Sequence, residues 1–207
     1  INREEILKRM PGLKEDNVTA GILYRDGQFD DSRLVVSLLL TAAGYGAGIL
    51  NYMPVESLIK NKDGQILGVK VRDSLSNKEF SVRGKVIINA TGVFADEIIQ
   101  MDEPRKRGII MPSQGVHIVL DRSFLPGEDA LMIPRTDDGR VLFAIPWHSK
   151  IIIGTTDTPV RKASLEPVAL KKEISFLLTT AGKYLKKIPS IEDVLSIYAG
   201  LRPLAAP

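Results

Sequence analysis

The stretch "KVIINATGVFADEI", residues 85–98, decides the fold class more than any other part of the chain. Its apolar run, 86–88, is continuous rather than alternating, which is typical of a strand covered on both faces in a parallel sheet. The run leads through Thr91-Gly92 into a short helical segment. A small residue and a glycine there let the backbone approach a ligand closely, at the edge where open α/β sheets bind ligands. A plain strand-to-helix turn is the alternative interpretation of the same residues.

The residues before this stretch predict a helix followed by a β-meander. The segment 32–43 is almost wholly apolar, so we expect a helix that is sandwiched between other layers, with Asp30 and Asp31 as its N-cap acids. After residue 49 the hydrophobic period changes to two. Turn sequences at 62–64 and 76–78 then separate three short antiparallel strands.

The residues after the charged linker 102–108 predict an antiparallel sheet covered by a helix. Four strand candidates follow in order: "GVHIVLD", "ALMIPR", "RVLFAIPW" and "KIIIGTTD". Apolar residues then recur at helical spacing from Pro167 to Ile188, so this helix should lie across the sheet. The last strand candidate, "VLSIYAGLRP", is expected to turn at Gly200 and to present Arg202 at its end.

The composition argues against several classes of function. The net charge is only +3 in 207 residues, and no dense Lys/Arg stripe is interleaved with aromatic residues, so no nucleic-acid partner is expected. The absence of cysteine excludes disulfides and thiolate-metal sites, and two histidines are too few for a histidine-built metal site. The best apolar run, 34–43, is about half of the roughly 20 residues that a membrane span needs.

His117 is the first candidate for chemistry. It lies in an alternating strand, on the side opposite to the apolar residues 116, 118 and 120. A lone histidine in a strand is usually a surface group or a satisfied core group. Its functional interpretation is a general base, because imidazole titrates near neutrality and can take the proton of a hydroxyl group.

Arg202 is the second candidate, in "GLRPL". It is either a member of a buried ion pair or a bidentate anchor for a carboxylate or phosphate, which the planar guanidinium suits better than lysine does. Trp147 and the run "GTTDTP", residues 154–159, are weaker candidates for site loops. An Asx-type turn explains Asp157 equally well.

Five motifs together resemble one family of flavoenzymes. They are "DGQFDDSRLV", "INATGVFAD", "QGVHIVL", "FAIPW…IIIGTTDTP" and "YAGLRPL". In this order and spacing, from about Gly12 onward, they are similar to the FAD-dependent glycerol-3-phosphate dehydrogenases, which are related in fold to glycine and D-amino-acid oxidases. The resemblance implies an α/β (α+β) fold with two parts. A partial FAD/NAD(P)-binding domain with a β-meander would comprise 1–101 and 191–207, and a substrate-binding domain with an antiparallel sheet and a helix would comprise 102–190.

The resemblance implies FAD as the cofactor. By matching position, Ala90, Thr91 and Gly92 would form one wall of the FAD cleft, and Val55 is a further cofactor-binding candidate. The G-x-G-x-x-G sequence that would form the other wall does not occur in the chain, nor does the C-terminal flavin segment of the family. We therefore expect a central piece of a longer enzyme. The isolated chain is expected to be inactive and to bind FAD weakly or not at all.

The resemblance also implies a reaction and its participants. Sn-glycerol 3-phosphate would be oxidised to dihydroxyacetone phosphate, with a hydride passing to FAD and electrons leaving to quinone. His117 would take or hydrogen-bond the hydroxyl proton, and Arg202 would orient the substrate. The absence of cysteine fits a reducing compartment, so a cytoplasmic enzyme is expected. Quinone use in the family implies peripheral contact with the inner face of the cell membrane, and a homodimer is compatible with the family. Many members carry lysine where this chain has Gln114, so one positive charge near the phosphate would be lost.

Three alternatives stay open. An arginine anchor serves a carboxylate as readily as a phosphate, so the parent protein could be an amine or amino-acid oxidase of the same fold. It could equally be a glycerol-phosphate oxidase that uses oxygen. A noncatalytic binding module built on a decayed flavoprotein is the alternative from another class.

Overall fold

The computed structural model describes residues 1–16, 18–136 and 139–206. These residues form four α-helices and nine strands. The helices are α1 (Arg3–Arg9), α2 (Asp31–Gly44), α3 (Ala95–Asp102) and α4 (Lys171–Tyr184). The strands are β1 (Val55–Lys60), β2 (Ile66–Arg72), β3 (Glu79–Arg83), β4 (Ile110–Asp121), β5 (Leu131–Ile133), β6 (Leu142–Trp147), β7 (Lys150–Gly154), β8 (Thr158–Pro159) and β9 (Ser196–Ala205).

The chain folds into two compact units. One unit comprises Tyr24–Arg107 and contains α2, the strands β1 to β3, and α3. The other comprises Ile1–Leu23 and the chain from Gly108 onward, with all the remaining elements. The predicted α/β (α+β) class, with a meander and a separate helix-covered antiparallel sheet, is confirmed. No helix in the described part of the chain is long and apolar enough to cross a membrane.

The unit Tyr24–Arg107 contains the predicted meander, a three-stranded antiparallel sheet in the order β1-β2-β3. Arg72 ends the middle strand, β2, and pairs with Glu56 on β1 and with Glu79 on β3. The preceding helix, α2, begins as predicted, because the side chain of Asp30 accepts a hydrogen bond of 2.9 Å from the Arg33 N–H.

Two expectations for this unit were wrong. Residues 86–88 belong to neither sheet, and Val86 and Ile88 are 75% and 81% exposed, whereas a buried parallel strand was predicted. A central parallel strand needs a hydrogen-bonded neighbour along its edges, and none of the described strands pairs with this run. The apolar residues of α2 are likewise exposed rather than sandwiched.

The larger unit is built on β4. Its sheet has the order β5-β6-β7-β4-β8, and β9 pairs with the other edge of β4. Every pairing is antiparallel, as the sequence predicts. The β4–β9 ladder runs without interruption from Ile110↔Ala205 to Val119↔Ser196. The expected turn at Gly200 is therefore wrong, because Gly200 pairs with Gly115 inside a continuous strand.

The ladder also places residues 196–205 in the same sheet as β4 to β8. The resemblance predicts an FAD-binding domain made of 1–101 and 191–207 and a substrate-binding domain made of 102–190. The compact units divide the chain differently, near residues 23 and 107. Which part binds FAD and which binds substrate stays a prediction.

One face of this sheet carries the hydrophobic core. Val116, Ile118 and Leu120 alternate along β4 and are fully buried. They belong to one cluster with Leu177 and Ala181 of α4, so α4 lies across the sheet as predicted. The helix begins at Lys171, four residues later than the predicted start at Pro167. We call the face under α4 the helix face, and the opposite face of β4 the site face.

Candidate functional site

His117 lies on the site face, in the middle of β4. The full burial of residues 116, 118 and 120 on the helix face fixes this alternation, as the sequence predicts. The directly opposite residues are Gly154 on β7 and Tyr198 on β9. Direct cross-strand partners share one face of a sheet, so all three lie in a row across the site face.

Both neighbours determine where the His117 ring lies. The ring stacks on Tyr198, with the ring centroids 5.0 Å apart and the ring planes inclined by 11°. On the other side, a Cβ atom added to Gly154 would lie only 2.1 Å from Cδ2 of His117. The imidazole therefore covers the backbone of Gly154, and only glycine leaves room for it.

Arg202 lies on the same face. Its direct partner across the β4–β9 ladder is Ser113, which has the same parity along β4 as His117. Its Nη1 donates to the Thr156 carbonyl at 3.1 Å, and its Nη2 donates to the Thr155 hydroxyl at 2.9 Å. The Asp157 carboxylate lies 3.6 Å from Nη1. The guanidinium is thus held on three sides by consecutive residues of the segment between β7 and β8.

Gly115 lets the guanidinium lie along β4 towards His117. A Cβ atom added to Gly115 would lie 2.5 Å from Nη2 of Arg202 and 2.7 Å from the Thr155 hydroxyl. Gly115 precedes His117 by two residues, which is about 7 Å along a strand. The structure therefore brings the two predicted substrate-side residues onto one face within the reach of a small molecule.

A cleft of about 230 Å³ adjoins Arg202. It is lined by Arg140, Val141, Thr155, Thr156, Asp157, Arg202 and Leu204. Arg140 donates to the Asp157 carbonyl at 3.3 Å, and its guanidinium lies over the Phe176 ring, 4.6 Å from the centroid. Two guanidinium groups at one cleft favour a bound anion.

Asp157 lies beside Arg202. Its carboxylate accepts a hydrogen bond from the Ser113 hydroxyl and faces Arg202. Trp147, the other weak candidate, ends β6 and packs edge-on against His148, with the ring centroids 5.1 Å apart.

Gln114 does not occupy the place that the resemblance implied. It lies on the helix face, is 5% exposed, and donates to Glu173 at 2.8 Å and to the Val168 carbonyl at 3.0 Å. Alternation along β4 turns residue 114 away from Arg202. A neutral side chain at this position therefore removes no charge from the site face, and the loss of a charge near a bound phosphate stays a prediction.

Glu173 is the residue that sequence reasoning missed. It is 3% exposed, and its carboxylate accepts hydrogen bonds from two hydroxyls, one amide side chain and one backbone N–H. Burial alone would raise the pKa of Glu173, but the hydrogen bonds from Thr158, the Leu170 N–H, Gln114 and Thr156 outweigh it, so its pKa lies below the usual range. The sequence feature that could have indicated this residue is a glutamate at the third position of α4, where its side chain caps the helix.

Ala90, Thr91 and Gly92 lie in the other unit, in the turn that leads into α3. The Asn89 side chain holds this turn from within, because it accepts from the Thr91 hydroxyl at 2.8 Å and donates to the Ala95 carbonyl at 3.0 Å. Gly92 has φ +58°, and the space where a Cβ would lie is open.

These features fit the predicted contact with FAD. An exposed, preformed turn with a left-handed glycine can present its backbone to a dinucleotide. Val55, the first residue of β1, is half-buried in the same unit and pairs with Val71. The role of all four residues in holding FAD stays a prediction.

Comparison with known proteins agrees with this architecture. A family model described as FAD dependent oxidoreductase matches residues 1–207. The mitochondrial glycerol-3-phosphate dehydrogenase of Homo sapiens is 39% identical over 211 residues, which cover 99% of this chain and 29% of that relative. The chain thus spans less than a third of the human relative.

Two solved structures resemble the chain. The glycerol-3-phosphate dehydrogenase from Bacillus halodurans, complexed with FAD, has a TM-score of 0.92 and 34% identity, over 100% of this chain and 42% of that chain. The FAD-bound L-alpha-glycerophosphate oxidase from Mycoplasma pneumoniae has a TM-score of 0.77 and 22% identity, over 99% of this chain and 52% of that chain. The second likeness shows a shared fold.

The family model, together with a β-meander unit and a helix-covered antiparallel sheet, identifies a flavoprotein of the D-amino-acid-oxidase-like fold. The chain belongs to the FAD dependent oxidoreductase family. The predicted resemblance to FAD-dependent glycerol-3-phosphate dehydrogenases is confirmed.

Proposed function

We propose that this chain is part of a flavoprotein that oxidises sn-glycerol 3-phosphate to dihydroxyacetone phosphate. The observation that carries the proposal is the placement of His117 and Arg202 on one face of the β7–β4–β9 sheet. A general base and a bidentate anion anchor about two strand residues apart suit a substrate that has a hydroxyl near a phosphate. The names of the human and Bacillus halodurans relatives support this substrate.

His117 and Arg202 have separate tasks in this proposal. Arg202 donates N–H groups to the substrate and orients the carbon that becomes a carbonyl. His117 takes the proton from the substrate hydroxyl as the C–H bond breaks, so that the alcohol loses one proton and one hydride. Stacking on Tyr198 limits the rotation of the imidazole and keeps the ring on the site face.

FAD, when bound, supplies the acceptor for the hydride that leaves the carbinol carbon. The turn Ala90–Thr91–Gly92 and Val55 would contact this cofactor. The chain's contribution to the reaction is orientation and proton removal on the site face.

The test uses the full-length, FAD-loaded protein under anaerobic conditions. We expect sn-glycerol 3-phosphate to bleach the absorbance of the flavin as it reduces it. His117→Asn should slow this reduction by about 100-fold or more. Arg202→Lys should raise the substrate concentration at which reduction is half-maximal. Unchanged reduction in both variants would remove the two residues from the mechanism.

A substrate panel separates the alternatives. Reduction by glycine, D-amino acids or other amines, but not by glycerol 3-phosphate, would indicate an amine or amino-acid oxidase. Arg202 would then anchor a carboxylate rather than a phosphate. Rapid reoxidation by oxygen in place of quinone would indicate a glycerol-phosphate oxidase. A flavin that no substrate of the panel reduces would favour a noncatalytic module.

Quinone as the electron acceptor also underlies the proposed location. We infer a cytoplasmic enzyme in peripheral contact with the inner face of the cell membrane, with a homodimer as its compatible assembly. Release of the full-length protein from membranes by high salt or carbonate would support peripheral contact. Recovery only after detergent would contradict it.

A further inference from the structure

Glu173 lies behind the sheet, directly opposite the segment that holds Arg202. Its four hydrogen-bond donors come from three different parts of the unit. They are Nε2 of Gln114 at 2.8 Å, the Thr156 hydroxyl at 3.1 Å, the Thr158 hydroxyl at 2.6 Å and the Leu170 N–H at 2.8 Å. The carboxylate therefore ties β4, the segment 155–158 and the start of α4 together in one buried polar cluster.

The segment 155–158 alternates between the two faces. Thr156 and Thr158 turn their hydroxyls to Glu173, whereas Thr155 and Asp157 turn their side chains to Arg202. Thr156 links the two sides directly. Its hydroxyl donates to Glu173 and accepts from the Val116 N–H at 2.9 Å, while its carbonyl accepts from Nη1 of Arg202.

The described contacts of the Arg202 guanidinium thus come from residues 155–157, and Glu173 holds this segment from behind through the hydroxyls of Thr156 and Thr158. We propose that Glu173 is a positioning residue for Arg202, acting through Thr156 and Thr158. It holds the segment 155–158 so that the Thr155 hydroxyl, the Thr156 carbonyl and the Asp157 carboxylate fix the direction of the guanidinium. The inference rests on the proposed function only in treating Arg202 as the group that orients the substrate.

Hydrogen-bond counting predicts what Glu173→Gln does. The Leu170 N–H can only donate, and a flip of the Gln114 amide would set its oxygen against the Val168 carbonyl, so the carbonyl of the introduced amide must face these two donors and its NH2 must face the two threonines. The Thr156 hydroxyl would then accept from both the Val116 N–H and the introduced NH2, and its own proton would lose its acceptor. The substitution keeps the volume and the cap, but it loosens the link to Thr156.

The experiment compares Glu173→Gln and Thr156→Val with Leu177→Ala in the full-length, FAD-loaded protein. Leu177 lies one helical turn further along α4 and is fully buried, so its truncation lowers stability without touching the segment 155–158. Leu177→Ala is therefore the control for a general loosening of the helix.

Two measurements are made on each variant. The first is the KM for sn-glycerol 3-phosphate, which we expect to rise about tenfold in Glu173→Gln and Thr156→Val. Hydrogen-bond partners that orient metal ligands have effects of this order, and we expect the same of partners that orient a guanidinium. The second is the rate at which phenylglyoxal, an arginine-selective reagent, modifies Arg202, followed by mass spectrometry. We expect a several-fold faster reaction in both variants and the wild-type rate in Leu177→Ala.

The outcomes are distinct. An unchanged KM and an unchanged phenylglyoxal rate in folded Glu173→Gln and Thr156→Val would overturn the inference. An equal change in Leu177→Ala would also overturn it, because general loosening would then explain the result. If the wild-type protein does not oxidise glycerol 3-phosphate, the proposed function fails, and the phenylglyoxal rates alone decide whether Glu173 positions Arg202.

Discussion

At the scale of single residues, two glycines decide where His117 and Arg202 can lie. Gly154 makes room for the imidazole, and Gly115 makes room for the guanidinium. Neither glycine has a positive φ, so each is needed for its missing side chain rather than for its backbone freedom. The motifs "QGVHIV" and "IIIGTTD" therefore each contain a glycine that leaves room for a candidate catalytic side chain, Gly115 for Arg202 and Gly154 for His117.

We predict that Gly154→Ala lowers the free energy of unfolding by about 1–3 kcal/mol, because the added methyl group must displace the His117 ring or the strand. Urea unfolding measures this change. Gly200→Ala on β9 is the matched control, since no atom lies within 4 Å of its Cβ position, and it should change stability by less than about 0.5 kcal/mol. Equal losses of stability in the two variants would contradict this prediction, because they would show that the added methyl group at residue 154 does not clash with the His117 ring.

At the scale of elements, the end of β4 is fastened by a carboxylate. Asp121 accepts from the Ser123 N–H at 3.0 Å, which caps the short 3₁₀ turn Arg122–Phe124, and from Nζ of Lys150 on β7 at 3.1 Å. These contacts, the Ser123 N–H before Lys150, lower the pKa of Asp121 to about 2. The same side chain thus ends one strand and ties it to its neighbour.

This shift predicts a pH dependence of stability. The folded-state pKa is depressed, so the contribution of Asp121 is present above its unfolded pKa of about 3.9 and is lost as the pH falls through about 2. Asp121→Asn should lower the midpoint of urea unfolding at pH 6. It should also reduce the change of this midpoint with pH between about pH 4 and 2. Lys150→Met should keep most of that dependence, because the Ser123 N–H is the larger cause. If the urea midpoint of Asp121→Asn changed with pH as steeply as that of the wild-type protein, Asp121 would not be the source of this pH dependence.

The elements also show what the sequence could predict. The alternation of 116, 118 and 120 against His117 is a local pattern, and so is the apolar face of α4, so both were predictable. The pairing of β9 with β4 is not local, because register depends on neighbours far away in the chain. For the same reason the run 86–88 was misread, since its apolar composition says nothing about which strand, if any, lies beside it. The cluster around Glu173 joins three residues that are 59, 17 and 15 positions away, and its contact with Leu170 leaves only a helix-cap signal in the sequence.

At the scale of the whole molecule, the chain holds both substrate-side candidates and one turn suited to FAD, but no G-x-G-x-x-G sequence. The missing loop is the element that would bind the pyrophosphate at a helix N-terminus. We predict that the purified 207-residue chain is colourless after gel filtration with excess FAD and does not oxidise glycerol 3-phosphate. An absorbance band of bound flavin in the protein fraction would contradict this prediction.

The continuous β4–β9 ladder has a consequence for how the protein acquires its activity. If β9 docked one residue out of alignment, every side chain on it would point to the opposite face, and the Arg202 guanidinium would leave the site face. Such a misfolded form would lack the arginine that is the candidate substrate anchor. The register of β9 against β4 therefore determines both whether the sheet is completed correctly and whether the candidate site forms.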